Sequence, residues 1–428
     1  MPPRRTILRR EWFGGLLFDG TTGLRTLLQP VEYPAKRAEL AGLRDAGAAV
    51  TLFDATERGY CRRSDTLASP IAMYIELTKR CNGSCAHCYA QAGPEETGDD
   101  ELSTADIERV VRDFADIGGW YVRLTGGEPT VRDDILDLID LVTERGLVAG
   151  LNTNGFIDEA LLHAILLHDV KDIRVSIDGP EAINDLIRGR GAYQRALETV
   201  RCIAEFNSGV QERVDLTINV VLMNATKDAV GEMIGTAVGH GARISFGLLR
   251  LSGRARRAEM LSPADIVDVA RTVQQERERL RLAPGQVRTN FDVFCDAPSH
   301  TEPQFFPLDN SRCPMGVSGM AIDARGHVVA CGYLTNLDGG RWLGEDVRTS
   351  DLLALWHHSD ALNDVRRITR ASCNGCPHYI SRCNGGCPMM AHVFDGDLDG
   401  RDPYCVRNVP IENRSSREAH GPPSRCSD

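Results

Sequence analysis

The cysteines of this chain point to metal chemistry, because two groups of them have the spacing of metal ligands. The early group has the pattern C-x3-C-x2-C and consists of Cys81, Cys85 and Cys88. Three thiols are one ligand too few for a closed tetrahedral site. A cubane iron-sulfur cluster held by three thiolates keeps one iron without a protein ligand, and there a cluster can do chemistry as well as carry electrons. A zinc-binding loop or a chance grouping is the alternative.

The late group of cysteines indicates closed or nearly closed metal sites. Its members are Cys313, Cys331, Cys373, Cys376, Cys383, Cys387 and Cys405. Near the N-terminus, Glu11 and neighbouring glycines interrupt any apolar run, so no secretory signal is expected, and a cytoplasmic location is expected by default. In a reducing cytosol such spacings are more typical of metal ligands than of disulfides. Cys61, Cys202 and Cys426 need no role, and Cys202 is expected in the core.

Composition and charge exclude several classes of function. Of the 428 residues, 42% are hydrophobic and 25% are charged, which is the usual balance of a globular protein. Because no long uninterrupted apolar run occurs, no membrane-spanning helix is expected. The net charge of −11 opposes binding to nucleic acid, and the basic stretch from Arg250 to Arg257 is too short to reverse this.

Between residues 72 and about 250, short apolar strands alternate with helices, which predicts an α/β fold with a parallel sheet. The predicted strands are Met73–Leu77, Tyr121–Thr125, Val148–Asn152, Ile173–Ile177, Asp215–Val221 and Arg243–Leu249. The predicted helices between them are Thr104–Ile117, Asp133–Glu144, Asp158–Leu167, Ala192–Glu205 and Lys227–His240.

The flanking segments predict further domains. Residues 1–60 are expected to form a small α+β unit that contains a hairpin, and residues 61–71 a linker that serves as a simple tether. The α/β core is assigned to residues 72–255, a bridging helix to 256–290, a cysteine-rich domain to 291–406 and a tail to 407–428. In the cysteine-rich domain, one helix is predicted over Leu352–Arg370.

Two loops at the carboxyl ends of strands hold the candidate site. The early cysteines follow the first strand of the core, where α/β folds place their ligand-binding loops. The second strand is followed by Gly126-Gly127-Glu128-Pro129, in which the glycines would let the backbone approach a ligand and the carboxylate would receive an ammonium group. Alone, this segment would equally predict an ordinary turn.

This pairing of loops resembles the radical S-adenosylmethionine (SAM) superfamily over residues 72 to about 250. The resemblance implies a partial (β/α)6 TIM-like barrel and a [4Fe-4S] cluster on the early cysteines, whose open iron chelates SAM. Reductive cleavage of SAM would then give a 5′-deoxyadenosyl radical that abstracts hydrogen from a substrate. The resemblance also implies that Gly126, Gly127 and Glu128 bind the methionine ammonium group and that Tyr89 lies near the adenine.

Later loops are similar to two further elements of the same family. Ser176 and Asp178 end the fourth strand in an S-x-D-G segment, and Arg188 follows before a glycine. By the resemblance, Ser176 and Arg188 reach the carboxylate and ribose of SAM, Asp178 belongs to the same cofactor site, and Asn152 lines it. A helix-capping aspartate, a surface arginine and ordinary loop residues are the alternatives.

The late cysteines resemble the SPASM extension of radical SAM enzymes, which implies two auxiliary [4Fe-4S] clusters. The implied ligands are Cys373, Cys376, Cys383 and Cys405 for one cluster, and Cys313, Cys331 and Cys387 for the other. Two closed cubanes need eight cysteines and the series supplies seven, so Cys295 is a candidate eighth ligand, with a buried apolar thiol as the alternative. Zinc is the alternative for the C-x2-C segment.

Within this group, the chain is similar to peptide-modifying maturases of the mycofactocin and pyrroloquinoline quinone type, through segments such as Gly127–Arg132 and Leu249–Arg254. The resemblance implies an oxidoreductase that crosslinks, decarboxylates or desaturates a ribosomally made precursor peptide in natural-product or cofactor biosynthesis. Reduced flavodoxin or ferredoxin is the implied electron donor. The same radical chemistry on a sugar or haem precursor is the alternative, and a non-catalytic iron-sulfur or zinc scaffold is another.

The first 60 residues lie outside that likeness. There, Glu11–Asp19 resembles the start of small peptide-recognition domains of the pyrroloquinoline quinone chaperone type. Such domains bind a leader peptide by adding it as a strand to a sheet edge. An N-terminal cap of the barrel is the alternative.

Overall fold

The computed structural model describes residues 5–20, 22, 24–211, 213–291, 313–379, 383–405 and 407. The predicted ligand Cys295 and the tail with Cys426 lie outside the described residues.

A four-stranded sheet and one helix form the N-terminal unit. The elements are β1 (Thr6–Glu11), β2 (Gly14–Phe18), β3 (Arg25–Leu28), α1 (Tyr33–Asp45) and β4 (Val50–Phe53). The strand order is β3-β2-β1-β4, with β1 and β4 parallel and the other pairs antiparallel. Leu8 packs with Tyr33 and Leu40 beneath the helix. Ile7 and its neighbours pack on the opposite face of the sheet, against the linker that follows.

The core of the molecule is a nine-stranded sheet. Its first seven strands in chain order are β5 (Ala72–Glu76), β6 (Tyr121–Thr125), β7 (Val148–Thr153), β8 (Asp172–Ser176), β9 (Asp215–Leu222), β10 (Arg243–Leu248) and β11 (Val287–Thr289). All of these pair in parallel with their neighbours. The predicted α/β fold with a parallel sheet is therefore confirmed, and its six predicted strands are β5 to β10.

Helices cover the outer face of this sheet. They are α2 (Thr104–Asp116), α3 (Ile135–Thr143), α4 (Glu159–Leu167), α5 (Glu181–Arg188), α6 (Ala192–Gly209), α7 (Val230–Gly239) and α8 (Pro263–Arg279). Burial alternates along β8, where Ile173 and Val175 are buried in the core, whereas Arg174 and Ser176 are partly exposed on the inner face. The inner face of the partial barrel is thus polar, as a site for polar ligands requires.

The cysteine-rich region continues the same sheet. It contains β12 (Gly319–Ile322), β13 (Val328–Val329), α9 (Leu352–His358), α10 (Asp360–Arg366) and α11 (Pro388–Asp395). Strand β12 pairs in parallel with β5, the strand that precedes the early cysteines, and β13 forms the sheet edge. This pairing places the cysteine-rich region beside the early cysteine loop.

Two expectations about local structure are wrong, and one helix has no counterpart among the predicted elements. The helix predicted over Leu352–Arg370 is two helices, because Ser359 has extended backbone angles (φ −58°, ψ 126°) between α9 and α10. Helix α5 was not predicted. The linker is not a simple tether, because Leu67 N and Ile71 N donate to Val317 O (3.0 Å) and Ser318 O (2.8 Å) of the cysteine-rich region.

A buried ion pair fixes the N-terminal unit to the core. Arg9 Nε donates to Glu11 Oε1 at 2.9 Å, and neither side chain is exposed to solvent. The Arg9 guanidinium also donates to Ser69 O (2.5 Å), Pro70 O (3.2 Å) and Gly118 O (3.0 Å). Glu11 Oε2 accepts from Ala68 N at 2.8 Å. Apart from the contact between Arg9 and Glu11 themselves, these hydrogen bonds join the first strand to the linker or to the loop before β6.

None of the described helices combines the length and the apolar character needed to cross a lipid bilayer.

Candidate active site and auxiliary cysteine sites

The early cysteine loop begins directly after β5 and brings three partly buried thiols to the carboxyl end of the sheet. Two N–H groups point at Cys81 Sγ, from Gly83 N at 3.4 Å and Asn154 Nδ2 at 3.6 Å. A third donor, Arg188 Nη1, lies 3.9 Å from Cys85 Sγ. N–H groups directed at sulfur are the usual surroundings of metal-bound thiolates.

Burial raises the pKa of the Cys81 thiol to about 11. The pKa of Cys85 is also raised by burial, although Arg188 partly opposes the shift. Without a metal these thiols are therefore protonated at neutral pH, and a metal that binds them must displace their protons.

The double glycine allows two loops to pack backbone against backbone. A Cβ atom on Gly127 would lie 2.3 Å from Arg80 O, and one on Gly126, whose φ is +146°, would lie 2.6 Å from Thr78 O. Gly127 N donates to Thr78 O at 2.7 Å, so the loop after β6 is hydrogen-bonded to the segment that leads into the cysteines. The sequence predicts that these glycines let a ligand approach, and no local pattern in it indicates this packing requirement.

Glu128 is completely buried, and both of its carboxylate oxygens have protein donors. Oε1 accepts from Thr130 Oγ1 (2.7 Å) and Thr153 Oγ1 (3.0 Å), and Oε2 accepts from Asn154 N (2.7 Å). Asn154 in turn donates to Cys81 Sγ and to Asn82 Oδ1. Burial raises the pKa of Glu128, and these donors partly offset the shift. The side chain thus links the loops after β6 and β7 to the first cysteine.

Asp178 and Arg188 form a buried ion pair behind the cysteine loop. Arg188 Nε lies 2.7 Å from Asp178 Oδ2, and His87 Nε2 lies 3.3 Å from the same oxygen. Asp178 Oδ1 accepts from Val221 N at 2.8 Å. Burial by itself would raise the pKa of Asp178, but Arg188 and His87 hold it below its usual value. The alternatives of a helix-capping aspartate and a surface arginine are therefore wrong, since α5 begins after Pro180 and Arg188 is buried.

The other predicted cofactor residues lie at different depths. Ser176 is partly exposed at the end of β8. Asn152 Oδ1 accepts from Arg123 Nη1 at 2.8 Å, and Arg123 is also paired with Asp172 at the start of β8. The Tyr89 ring packs at 4.9 Å from that of Tyr333. Tyr89 therefore lies between the early cysteine loop and the segment that follows Cys331, a contact that the sequence did not indicate.

The late cysteines lie in two neighbourhoods, and the ligand sets that the resemblance implies for them stay a prediction. Cys313 and Cys387 lie near enough to Cys331 for their charges to raise its pKa, in addition to the effect of burial. In the other group, Cys373 and Cys405 act in the same way on Cys383, and Cys376 acts on Cys405. An eighth ligand cannot be sought at Cys295, which lies outside the described residues.

The separation of the thiols argues against preformed zinc sites. Among the residues that the structure describes, no three cysteines have sulfur atoms that all lie within 4.8 Å of one another. A tetrahedral zinc ion with Zn–S bonds of about 2.3 Å would hold its sulfur atoms roughly 3.8 Å apart. A cubane spreads its cysteine sulfurs further, because each sulfur binds a different iron. Within the described part of the chain, the thiol positions therefore do not match a preformed site for a single zinc ion.

One compact set of potential ligands lies elsewhere. Glu159 and His163 on α4 and Cys202 on α6 have ligand atoms within 4.8 Å of one another, on the outer surface. Cys202 was expected in the core, but it is only partly buried and packs against the edge of the core. The spacing of Glu159 and His163 by four residues on a predicted helix was the available signal, but it did not reveal Cys202.

Comparison with known proteins agrees with this site. A family model of the radical SAM superfamily matches residues 75–237. Mycofactocin maturase MftC of Mycobacterium tuberculosis is 31% identical over 365 residues, which are 84% of this chain and 88% of that protein. The chain belongs to the radical SAM superfamily. The PqqA peptide cyclase of Bradyrhizobium diazoefficiens is 27% identical over 382 residues, 85% of this chain and 93% of that protein.

Solved structures of radical SAM enzymes share the fold. Streptococcus suis SuiB bound to precursor peptide SuiA aligns with a TM-score of 0.70 at 18% identity, over 93% of this chain and 98% of that one. The enzyme anSMEcpe with bound AdoMet aligns with a TM-score of 0.63 at 16% identity, over 81% of this chain and 98% of that one. The predicted partial barrel with a SPASM extension is confirmed. As a member of this superfamily, the protein is a radical SAM enzyme that uses SAM and a [4Fe-4S] cluster.

Proposed function

We propose that this enzyme oxidatively modifies a ribosomally made precursor peptide by crosslinking, decarboxylation or desaturation. The observation that carries the proposal is the similarity, over most of both chains, to the maturase MftC and to the PqqA peptide cyclase, an enzyme that acts on a peptide. The structure of SuiB with its precursor peptide supports a fold suited to such substrates. The cytoplasm is the proposed location, and reduced flavodoxin or ferredoxin the proposed electron donor.

In this proposal, Cys81, Cys85 and Cys88 hold the cluster that binds SAM. That cluster, once reduced, supplies the electron that cleaves SAM to methionine and a 5′-deoxyadenosyl radical. Auxiliary clusters would be held by Cys373, Cys376, Cys383 and Cys405 and by Cys313, Cys331 and Cys387, with Cys295 as the candidate eighth ligand.

The surrounding residues would hold the cofactors in place. Glu128 fixes Asn154, which directs its amide at Cys81 Sγ. Arg188 and Asp178 would orient the carboxylate and ribose of SAM, together with Ser176, at the open end of β8. The backbone of Gly126 and Gly127 would lie beside the methionine ammonium group, and Asn152 and Tyr89 would line the site. Because the ion pair of Arg188 and Asp178 is buried, its geometry is fixed before SAM binds.

The N-terminal unit is proposed to recognise the leader part of the peptide. Strand β3 is an edge of its sheet, and Leu27 on that strand is 50% exposed. Leu24 and Val31 flank the strand and are also exposed. An open strand edge beside apolar side chains suits an extended peptide, which would add main-chain hydrogen bonds and bury its own apolar residues there.

The catalytic proposal is tested by incubating the anaerobically reconstituted enzyme with SAM, a reductant and a short peptide encoded beside its gene. We expect 5′-deoxyadenosine together with a peptide whose mass has changed. Cys81→Ala should make neither product, whereas Cys202→Ala, which removes a cysteine outside the site, should make both. Formation of 5′-deoxyadenosine by Cys81→Ala would show that the early cysteines do not hold the SAM cluster.

The leader-binding proposal has a separate test. Leu27→Asp should weaken binding of a fluorescent leader peptide at least tenfold, while Leu43→Asp, at an exposed position of α1 away from the strand edge, should leave binding unchanged. Equal affinities of the two variants would contradict recognition at β3.

A haem-precursor substrate is the second candidate. The AdoMet-dependent heme synthase of Nitratidesulfovibrio vulgaris is 26% identical over 347 residues, 77% of this chain and 90% of that protein. Turnover of a porphyrin precursor, with no change in the mass of the peptide, would favour this candidate.

A further inference from the structure

The segment Leu249–Arg254, which follows β10, lies between the early cysteine loop and the late cysteines. At its start, Leu249 O accepts from Tyr404 Oη at 3.0 Å. At its end, Arg254 N and Nε donate to Cys88 O (3.0 Å) and Cys85 O (2.9 Å). Gly253, with φ +62°, lies so close to the cysteine loop that an added Cβ would be 2.3 Å from Cys88 O. The backbone of this segment is thus fixed at both ends.

Arg250, near the start of this segment, directs its charge at the late cysteines. Its side chain is 13% exposed. Its Nη1 is buried and, among the described residues, has no hydrogen-bond acceptor. The nearest carboxylate oxygen, Asp402 Oδ2, is 3.8 Å from Nη1 and is itself bound by Cys387 N at 2.7 Å. A partly unsatisfied buried guanidinium is costly unless a further negative group faces it.

A cluster held by the late thiols would supply such a negative group, and Asp402, which contacts both Arg250 and Cys387 N, places the guanidinium beside that site. Arg250 is near enough to Cys313, Cys331 and Cys387 for its charge to interact with all three. Further charged groups near these thiols, among the described residues, include Arg370, which acts on Cys313, and Asp402. Protonated thiols offer Arg250 no charge, whereas metal-bound thiolates do.

We propose that Arg250 is a positioning residue of the auxiliary site of Cys313, Cys331 and Cys387, where its fixed positive charge stabilises the bound, reduced state. This inference rests on the ligand assignment under the proposed function. One-electron reduction by an external donor such as dithionite adds one negative charge to the site and breaks no bond. A buried cation a few ångströms away therefore favours the reduced form and raises the reduction potential.

The test compares three variants of the full-length reconstituted enzyme. Arg250→Gln removes the charge, Arg250→Lys keeps it, and Arg256→Gln removes an exposed charge from the same basic stretch as a control. Iron and sulfide are counted per chain, and the auxiliary midpoint potentials are measured by redox titration followed by electron paramagnetic resonance. These readouts do not depend on turnover of the peptide, so failure of the peptide proposal is distinguishable from failure of this one.

We expect Arg250→Gln to lower one auxiliary potential by at least 59 mV, a tenfold change in the ratio of reduced to oxidised site for one electron. Arg250→Lys should keep the auxiliary potential close to the wild-type value, and Arg256→Gln should leave it unchanged. If Arg250→Gln does not load iron fully, Arg250→Lys should load it as the wild type does. An unchanged potential in Arg250→Gln, or equal loss of iron in Arg250→Gln and Arg250→Lys, would overturn the inference. A Cys331→Ser variant with unaltered auxiliary signals would overturn the ligand assignment and the inference with it.

Discussion

The buried pair of Arg9 and Glu11 should be the strongest single link between the N-terminal unit and the core. Neither side chain is exposed, and Arg9 Nε and Glu11 Oε1 are 2.9 Å apart. Replacing Glu11 with Gln leaves the guanidinium buried without its counter-charge, which typically costs about 3–5 kcal/mol. Replacing Arg9 with Met has a similar cost, because Glu11 keeps only the donor Ala68 N.

The double variant Arg9→Met/Glu11→Leu should be less destabilised than the sum of its single variants. With both charges absent, no buried ion remains unpaired, and the remaining cost comes from the three backbone carbonyls that lose a donor and from Ala68 N, which loses its acceptor. We expect a coupling energy of about 2–3 kcal/mol between the two sites. Chemical denaturation of the iron-free protein measures it, and hydrogen exchange in β1 shows whether the loss is confined to the N-terminal unit.

Arg37→Met provides the matched control for this cycle. Arg37 pairs with Glu57 at 2.6 Å in the same unit, but both side chains are about half exposed. Such a pair contributes less than about 1 kcal/mol, so its loss should leave stability nearly unchanged. Strictly additive effects of the Arg9 and Glu11 substitutions, or single effects as small as that of Arg37→Met, would refute the role assigned to the buried pair.

Two further predictions concern stability, one through the buried His357 and one through Gly127. Burial lowers the pKa of His357 to about 4. Between pH 6.5 and pH 4 the unfolded chain therefore binds more protons at this residue than the folded chain does. We expect the free energy of unfolding to fall by about 2 kcal/mol as the pH is lowered from 6.5 to 4, and to show no contribution from His357 above pH 6.5. His357→Gln should flatten this acid dependence in iron-free protein, whereas the exposed neighbour His358→Gln should retain it. Gly127→Ala should destabilise the protein by about 1–3 kcal/mol because its Cβ would meet Arg80 O, while Gly235→Ala, in the open face of α7, should stabilise it by about 0.5–1 kcal/mol. Thermal unfolding measures the stability of both glycine variants. A Gly127→Ala variant as stable as the wild type would contradict the packing of Gly127 against Arg80.

The core strands could be predicted because each one has apolar residues that helices must cover. Strand β6 coincides with the predicted Tyr121–Thr125, and the other five core strands differ from their predictions by a residue or two at one or both ends. Local signals failed where the structure depends on distant partners. The four residues of β12 form a strand only because β5, far away in the chain, offers its edge. The break at Ser359 was invisible because apolar residues recur at helical spacing on both sides of it.

In the candidate site as well, local patterns predict the residues that lie within one loop and fail for residues that distant segments bring together. The types and spacing of the early cysteines were sufficient to predict a three-thiol site, because its ligands lie within one loop. The grouping of Cys313 with Cys387 came from a family resemblance and not from spacing, since the chain between them forms several other elements. In the sequence, Arg250 is marked by its basic stretch and by the family-like segment Leu249–Arg254, neither of which gives it a role. Its position among the late thiols depends on the pairing of three separate segments, which no local pattern in the sequence encodes.

Hydrogen bonds and ring packing hold the early cysteine loop against the cysteine-rich region. The Tyr89 carbonyl accepts from Asn336 Nδ2 at 2.7 Å, and its ring packs on Tyr333, close to the late ligand Cys331. Arg254 holds the backbone of the early loop, while Leu249, five residues before it, is bound to Tyr404 of the cysteine-rich region. Because a change in one region must pass through these buried contacts, the distance between the two cysteine regions is fixed by the protein. A constant distance would keep the rate of electron transfer between clusters in these two regions constant, whichever substrate the radical attacks.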